Sequence, residues 1–223
     1  YLQAIKKAVR TKHLRGGIKL YHSGVGRVRE SVLTMKKLIA ENRDLSEGEA
    51  REFLNTLQEV DDEIEDIIDP RLQYLYDPEK KGSYFAPWSK TPSFETSKRR
   101  SQSFLNFNDA SPEKGIVPSP KKMAQRLSEI INEQIKEALS TPKEIRTNFL
   151  VGSHEPVLIS FLYYFMTDFR GHDPHFIDSI GGSVSFAEGF DIHIYQSEEE
   201  SFCRFIFRDV KRDFSPQKFE EFI

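Results

Sequence analysis

The sequence predicts an α/β fold: a three-layer sandwich with a mostly parallel central sheet. Two observations carry this. Helical patterns alternate with short apolar strands along most of the chain, the order that builds a sheet with helices on its faces. Two of those strands, 18–22 (IKLYH) and 148–151 (NFLV), each run through a small-residue loop directly into a helical pattern. Beyond residue 180 the periodicity changes to two, which adds a C-terminal β-hairpin.

Residues 1–13 form an amphipathic helix, with Leu2, Ile5, Ala8 and Val9 as its apolar stripe and Lys6, Lys7, Arg10 and Lys12 outward. Arg15-Gly16-Gly17 ends it, and the strand Ile18-Lys19-Leu20-Tyr21-His22 follows. Ser23-Gly24-Val25-Gly26 is a tight loop before a helix from Arg27 to about Glu41, whose inner face holds Val28, Val32 and Met35. The Gly24 and Gly26 pair is not a dinucleotide fingerprint, since no third glycine follows, and it lacks the Gly-Lys-Ser/Thr of a Walker loop. Ser46 and Glu49 make a capping box for a further helix bearing Phe53, Leu57, Val60, Ile64 and Ile67 or Ile68, closed by Asp69-Pro70. The acidic run Asp61 to Asp66 is dense enough for a metal site. It reads instead as a solvated face, because adjacent Asp61 and Asp62 cannot share one face of a helix.

Residues 78–120 differ in character. They hold six of the eleven prolines and eight serines, with aromatics placed without period. This predicts a long Pro/Ser-rich flexible insertion within a single domain spanning 1–223, partly disordered or packed by isolated aromatic anchors. Lys98-Arg99-Arg100-Ser101-Gln102-Ser103 offers a basophilic phosphorylation site or a polyanion contact, with solvated linker as the plainer reading. From Pro120 a strong amphipathic helix presents Met123, Leu127, Ile130, Ile131 and Ile135 inward, and Thr141-Pro142 breaks it. The apolar helix after Pro156 is expected to reach Phe169. Strands are expected at 183–186, 191–195 and 202–207, with His193 on the solvent side.

The totals exclude several classes. A net charge of −3 with 30% charged residues gives no reason for nucleic-acid binding. No apolar run approaches the ~18 residues that span a bilayer, and no signal peptide is visible. A single cysteine, Cys203, precludes an internal disulfide and fits a reducing, cytoplasmic compartment. The chain opens on Tyr1 inside a helical pattern, which suggests a piece cut from a longer protein.

The chemistry concentrates where strand meets helix. After the strand 148–151, Gly152-Ser153-His154-Glu155-Pro156 puts an imidazole and a carboxyl at a helix mouth. Unpaired N–H groups and the positive end of the helix dipole favour an anion there. The earlier junction places Arg27 at a helix start, and guanidinium binds phosphate through paired, charge-assisted bonds. If the two strands are parallel, Arg27, His154 and Glu155 can meet one phosphate, with a protonated carboxyl ready to supply a leaving alcohol. The plainer reading is a helix cap and a surface arginine. His172, Asp173 and His175 are metal-compatible residues in a loop, without a further clustered ligand.

These junctions resemble the histidine phosphatase superfamily, in the branch of acid phosphatases and phytases, which has a phosphoglycerate-mutase-like fold. Residues 18–31 (IKLYHSGVGRVRES) are similar to the segment that delivers a phosphate-binding arginine, and 151–157 (VGSHEPV) to the later histidine–acid motif. Residues 181–186 (GGSVSF), 204–208 (RFIFR) and 214–216 (FSP) resemble the hairpin and last strand that follow it. The resemblance implies attack on a phosphate monoester by a histidine of an Arg-His-Gly motif and hydrolysis of the resulting phosphohistidine. It implies no cofactor or metal and a phosphorylated small-molecule substrate, with no nucleic-acid or membrane partner. Carried onto this chain, Arg27 and His154 bind phosphate and Glu155, where many members have aspartate, is the general acid. The chain has no Arg-His-Gly; Arg170-Gly171-His172 has the letters in another order and follows a helix. The expectation is therefore a phosphoric monoester hydrolase whose nucleophile strand precedes Tyr1. The alternatives are a catalytically degenerate domain that binds a phosphorylated ligand or a protein partner, and a phosphomutase.

Overall fold

In the computed structural model, strand β1 (Gly17–His22) lies between two parallel partners, β2 (Ile64–Ile68) and β3 (Thr147–Gly152). The structure describes residues 17–24, 28, 29, 31, 64–76, 94–142, 147–185, 188–197 and 200–223. The expected helices at 1–13 and 46–63, the acidic pair at 61–62, residue Arg27 and the stretch 78–93 lie outside these. The chain divides into two compact units: Tyr1–Pro70, Lys136–Gly152 and Phe186–Glu188 in the first, and Arg71–Ile135, Ser153–Ser185 and Gly189–Ile223 in the second.

In the first unit, β1 pairs Ile18 with Ile64 and His22 with Ile68 on one side, and Gly17 with Thr147 and His22 with Gly152 on the other. The period of two buries Ile18, Leu20 and His22. Lys19, between them, forms an ion pair with Glu137 at 2.9 Å. Gly24 turns the chain at a φ of +71°, and a Cβ there would come within 2.8 Å of the Ile68 side chain. Val28, Arg29 and Ser31 are helical.

One expectation is corrected here. Residues 64–68 (IEDII) form a strand rather than the end of a helix. Apolar spacing over five residues fits either period, and β-branched isoleucines favour the extended form once β1 offers its main chain as partner. The pairing continues beyond the strand, with Asp69 N–H donating to the His22 carbonyl oxygen at 2.8 Å.

The second unit holds helices α1 (Phe94–Leu105), the Pro120–Ile135 part of α2 (Pro120–Ser140), α3 (Glu155–Met166) and α4 (Phe176–Ser179). Its antiparallel sheet is ordered β4 (Asp191–Gln196), β5 (Ser201–Phe207), β6 (Val210–Phe214). Helix α3 is apolar all round and accordingly buried, from Pro156 and Val157 through Phe165. Phe165 packs on Phe161, Phe205, Phe214 and Phe219, and Phe161 stacks on Phe190 at 4.7 Å. In β5 the alternation puts Cys203, Phe205 and Phe207 in this core. On the other face Arg204 forms a two-pronged bridge to Asp213 (2.6 and 2.7 Å).

Several local expectations change. The stretch read as an insertion contains α1, which packs against α3 and α4. Helix α3 ends at Met166, not Phe169, because Asp168 and Phe169 adopt positive φ. Residues 183–185 are irregular rather than a strand, and the hairpin gains a third strand, β6. His193 is exposed in β4. Among the described residues no helix is long and apolar enough to cross a membrane.

Candidate active site at the start of helix α3

The chain leaves β3 at Gly152, and His154 is the residue that caps α3. Its backbone is extended (φ −87°, ψ 151°), and its carbonyl oxygen accepts from the N–H groups of Val157 and Leu158 at 3.0 and 3.2 Å. Pro156 sits in the first turn, where a missing N–H costs nothing. The imidazole makes no capping bond. The plain helix-cap reading therefore does not account for a histidine here. Ser153 is used structurally: its hydroxyl donates to the Leu72 carbonyl oxygen at 2.7 Å. Arg71, beside Leu72, grips Glu133 of α2 with two bonds of 2.6 and 2.7 Å. This anchoring sets Tyr74 edge-on to the His154 ring, with centroids 4.4 Å apart.

Burial pushes His154 down from 6.5 to about 4, so the imidazole is neutral at neutral pH. The same cause raises the Tyr74 hydroxyl above its usual value. A neutral imidazole offers one N–H donor and one acceptor rather than a positive charge.

Glu155 is held from two directions. Ser101 of α1 donates to Oε1 at 2.9 Å, and Ser183, from the loop after α4, donates to the same oxygen. The two serine hydroxyls also meet each other, at 2.8 Å. Burial raises the Glu155 carboxyl above its ordinary value, and the bonds from Ser183 and Ser101 offset part of that rise. The acid keeps its proton at pH values where an exposed glutamate is ionised. Arg208, at the tight turn between β5 and β6, fastens the loop carrying Ser183. Its guanidinium donates to the carbonyl oxygens of Ile180, Gly182 (3.2 Å) and Ser183 (3.0 Å).

His154 and Glu155 thus stand together at one helix start, while Arg27 lies outside the described residues. Sequence reading missed Ser101, Ser183, Arg208 and Tyr74. Ser101 is corrected outright: it is fully buried, so it is neither a solvated linker residue nor an accessible phosphorylation site. The signal was its position three and four residues before Phe104 and Leu105, on the face those two bury. Lys98, in the same basic cluster, is paired with Asp178 at 3.2 Å.

Among the described residues no cluster of three metal-ligating groups occurs. Asp173 instead accepts the backbone N–H of His175 at 2.8 Å, and His172 and His175 are exposed. Gly171 takes a φ of +65° with the Tyr164 ring 2.6 Å from where a Cβ would stand, so Arg170-Gly171-His172 is a helix exit. Compared with family models, curated proteins and solved structures, the chain matches none.

Proposed function

We propose that this protein is a cytoplasmic phosphatase that hydrolyses small phosphate monoesters by the phosphohistidine route, on a three-layer, phosphoglycerate-mutase-like fold. The observation that carries the reading is Glu155: a half-buried, hydrogen-bonded carboxyl with raised proton affinity, at the N-terminus of an apolar helix and beside a neutral histidine. That is the state a general acid needs before reaction.

In the proposed reaction the phosphohistidine N–P bond forms as the ester P–O bond breaks. Glu155 gives its proton to the departing alcohol oxygen. Water then attacks the phosphohistidine, and the Glu155 carboxylate takes a proton from it, which restores the acid. His154 donates its remaining N–H to a phosphate oxygen, and the resemblance assigns the positive charge to Arg27. The nucleophile belongs to an Arg-His-Gly segment, which the 223 residues do not contain.

The test is hydrolysis of alkyl and aryl phosphates by the longest product of the gene beside the 223-residue chain. Glu155→Gln is expected to lower kcat about 10²-fold or more on alkyl phosphates, and less on aryl phosphates, whose leaving groups need little protonation. Full activity in both His154→Ala and Arg27→Ala overturns the assignment.

The missing Arg-His-Gly favours a second reading, a phosphatase-like domain that binds a phosphorylated ligand without turnover. Phosphate binding that requires His154 and Arg27, in a longest product that hydrolyses nothing, would select it.

A further inference from the structure

Three oxygens meet around Glu155: its own Oε1, Ser101 Oγ and Ser183 Oγ, with contacts on all three sides of the triangle. The number of hydrogens limits what this arrangement can be. Two hydroxyls supply two hydrogens, and three contacts need three. Giving each contact its own hydrogen takes the third from a protonated carboxyl, with Oε1 donating to one serine in place of accepting from it, which closes a ring in which each oxygen donates to the next. When the proton leaves, one hydroxyl has only to rotate. Both hydrogens then point at Oε1, and the bond between the serines is exchanged for a second charge-assisted bond to the carboxylate.

We propose that Ser101 and Ser183 are positioning residues for the acid, completing a three-oxygen ring while Glu155 carries its proton and turning both hydrogens onto Oε1 once it has been given up. This rests on Glu155 being the general acid of the proposed reaction. It goes beyond that reading by assigning two residues that neither touch nor bind substrate. Burial explains why the proton stays on; the serines explain how it can leave. Without them, Oε1 of a half-buried carboxylate would lose both of its hydrogen bonds, which is costly.

The surroundings suit the role. Ser101 is fully buried and Ser183 nearly so, which keeps water from replacing either hydroxyl. Three charged groups on the packed elements are engaged with other partners: Lys98 of α1 with Asp178 of α4, and Arg208 on the carbonyl oxygens around Ser183. His154, adjacent in sequence, is neutral at neutral pH. The two hydroxyls are the groups hydrogen-bonded to Oε1, placed to answer a change of its charge.

Infrared titration of the 223-residue chain tests this without turnover, by following the protonated-carboxyl band that Glu155→Gln removes. Ser183→Ala is expected to move its midpoint about one pH unit upward, the loss of one charge-assisted bond. Ser101→Ala moves it the same way by less, and Ser183→Thr, which keeps the hydroxyl, leaves it near wild type. Midpoints unchanged or lowered in both alanine variants overturn the proposal. Unfolding measurements give a second arm that survives a poorly folding variant. Ser183→Ala should cost more stability in wild type than in a Glu155→Leu background, and equal costs refute the ring. A shifted midpoint, together with no phosphate-ester hydrolysis by the longest product of the gene, refutes the phosphatase reading and leaves the ring standing.

Discussion

Acidification from pH 7 to pH 4 is expected to cost this protein about 3 kcal/mol through His154 alone. The imidazole titrates at 6.5 when free and at about 4 in the fold, because burial disfavours its charged form. At ~1.36 kcal/mol per tenfold change in proton affinity, that difference amounts to at most about 3 kcal/mol. The sign follows from proton counting. Between pH 6.5 and about 4 the unfolded chain binds a proton at His154 that the folded chain refuses, so stability rises with pH. The contribution is complete above 6.5 and is lost as pH falls through the folded value. Glu155 works the other way: its stabilisation is present below its ordinary 4.5 and fades as pH rises through its raised value. Comparing wild type with His154→Gln cancels the Glu155 part, which both proteins share. Urea unfolding at half-unit pH steps should therefore give curves that diverge below pH 6.5, wild type falling more steeply. Parallel curves would show that His154 is solvated, and would remove the neutral imidazole from the mechanism.

Further consequences can be measured on the same chain. Glu155→Gln should flatten the loss of stability above pH 4.5, since an amide has no proton to lose from the buried site; unfolding midpoints against pH in wild type and variant check it. Gly171→Ala should destabilise by about 2 kcal/mol or more: the left-handed backbone costs about 1–2 kcal/mol, and the added Cβ meets the buried Tyr164 ring. Thermal unfolding reads this directly, and a neutral result would mean that the helix exit relaxes. Arg208→Met should release the loop carrying Ser183 at a cost of about 2 kcal/mol, the scale of a hydrogen bond to a charged donor. Faster amide hydrogen exchange at Ile180–Ser183 would report it, and unchanged exchange would show the clamp to be idle.

The strands 18–22 and 148–151 were legible because alternation and a following glycine are local signals, and so was α2, whose apolar stripe repeats over several turns. The start of α3 was legible for the same reason: Pro156 and an apolar run announce a helix, and His154 and Glu155 fall at its mouth by counting. Residues 64–68 were misread because five residues cannot separate a period of two from one of 3.6, and only the offer of pairing from β1 decides between them. Helix α1 was hidden by its composition. Polar and basic residues dominate its sequence, and a buried serine leaves no hydrophobic trace.

What the sequence by itself determined is which residues are candidates for chemistry and that two of them, His154 and Glu155, stand at a helix start, since both depend on neighbours along the chain. What only the tertiary structure decided is the protonation of those residues. Ser101 and Ser183 reach Glu155 from 54 and 28 residues away, and burial sets the states of both Glu155 and His154. A proton's affinity depends on the solvent and partners around it, and no pattern of letters encodes either before the chain has folded.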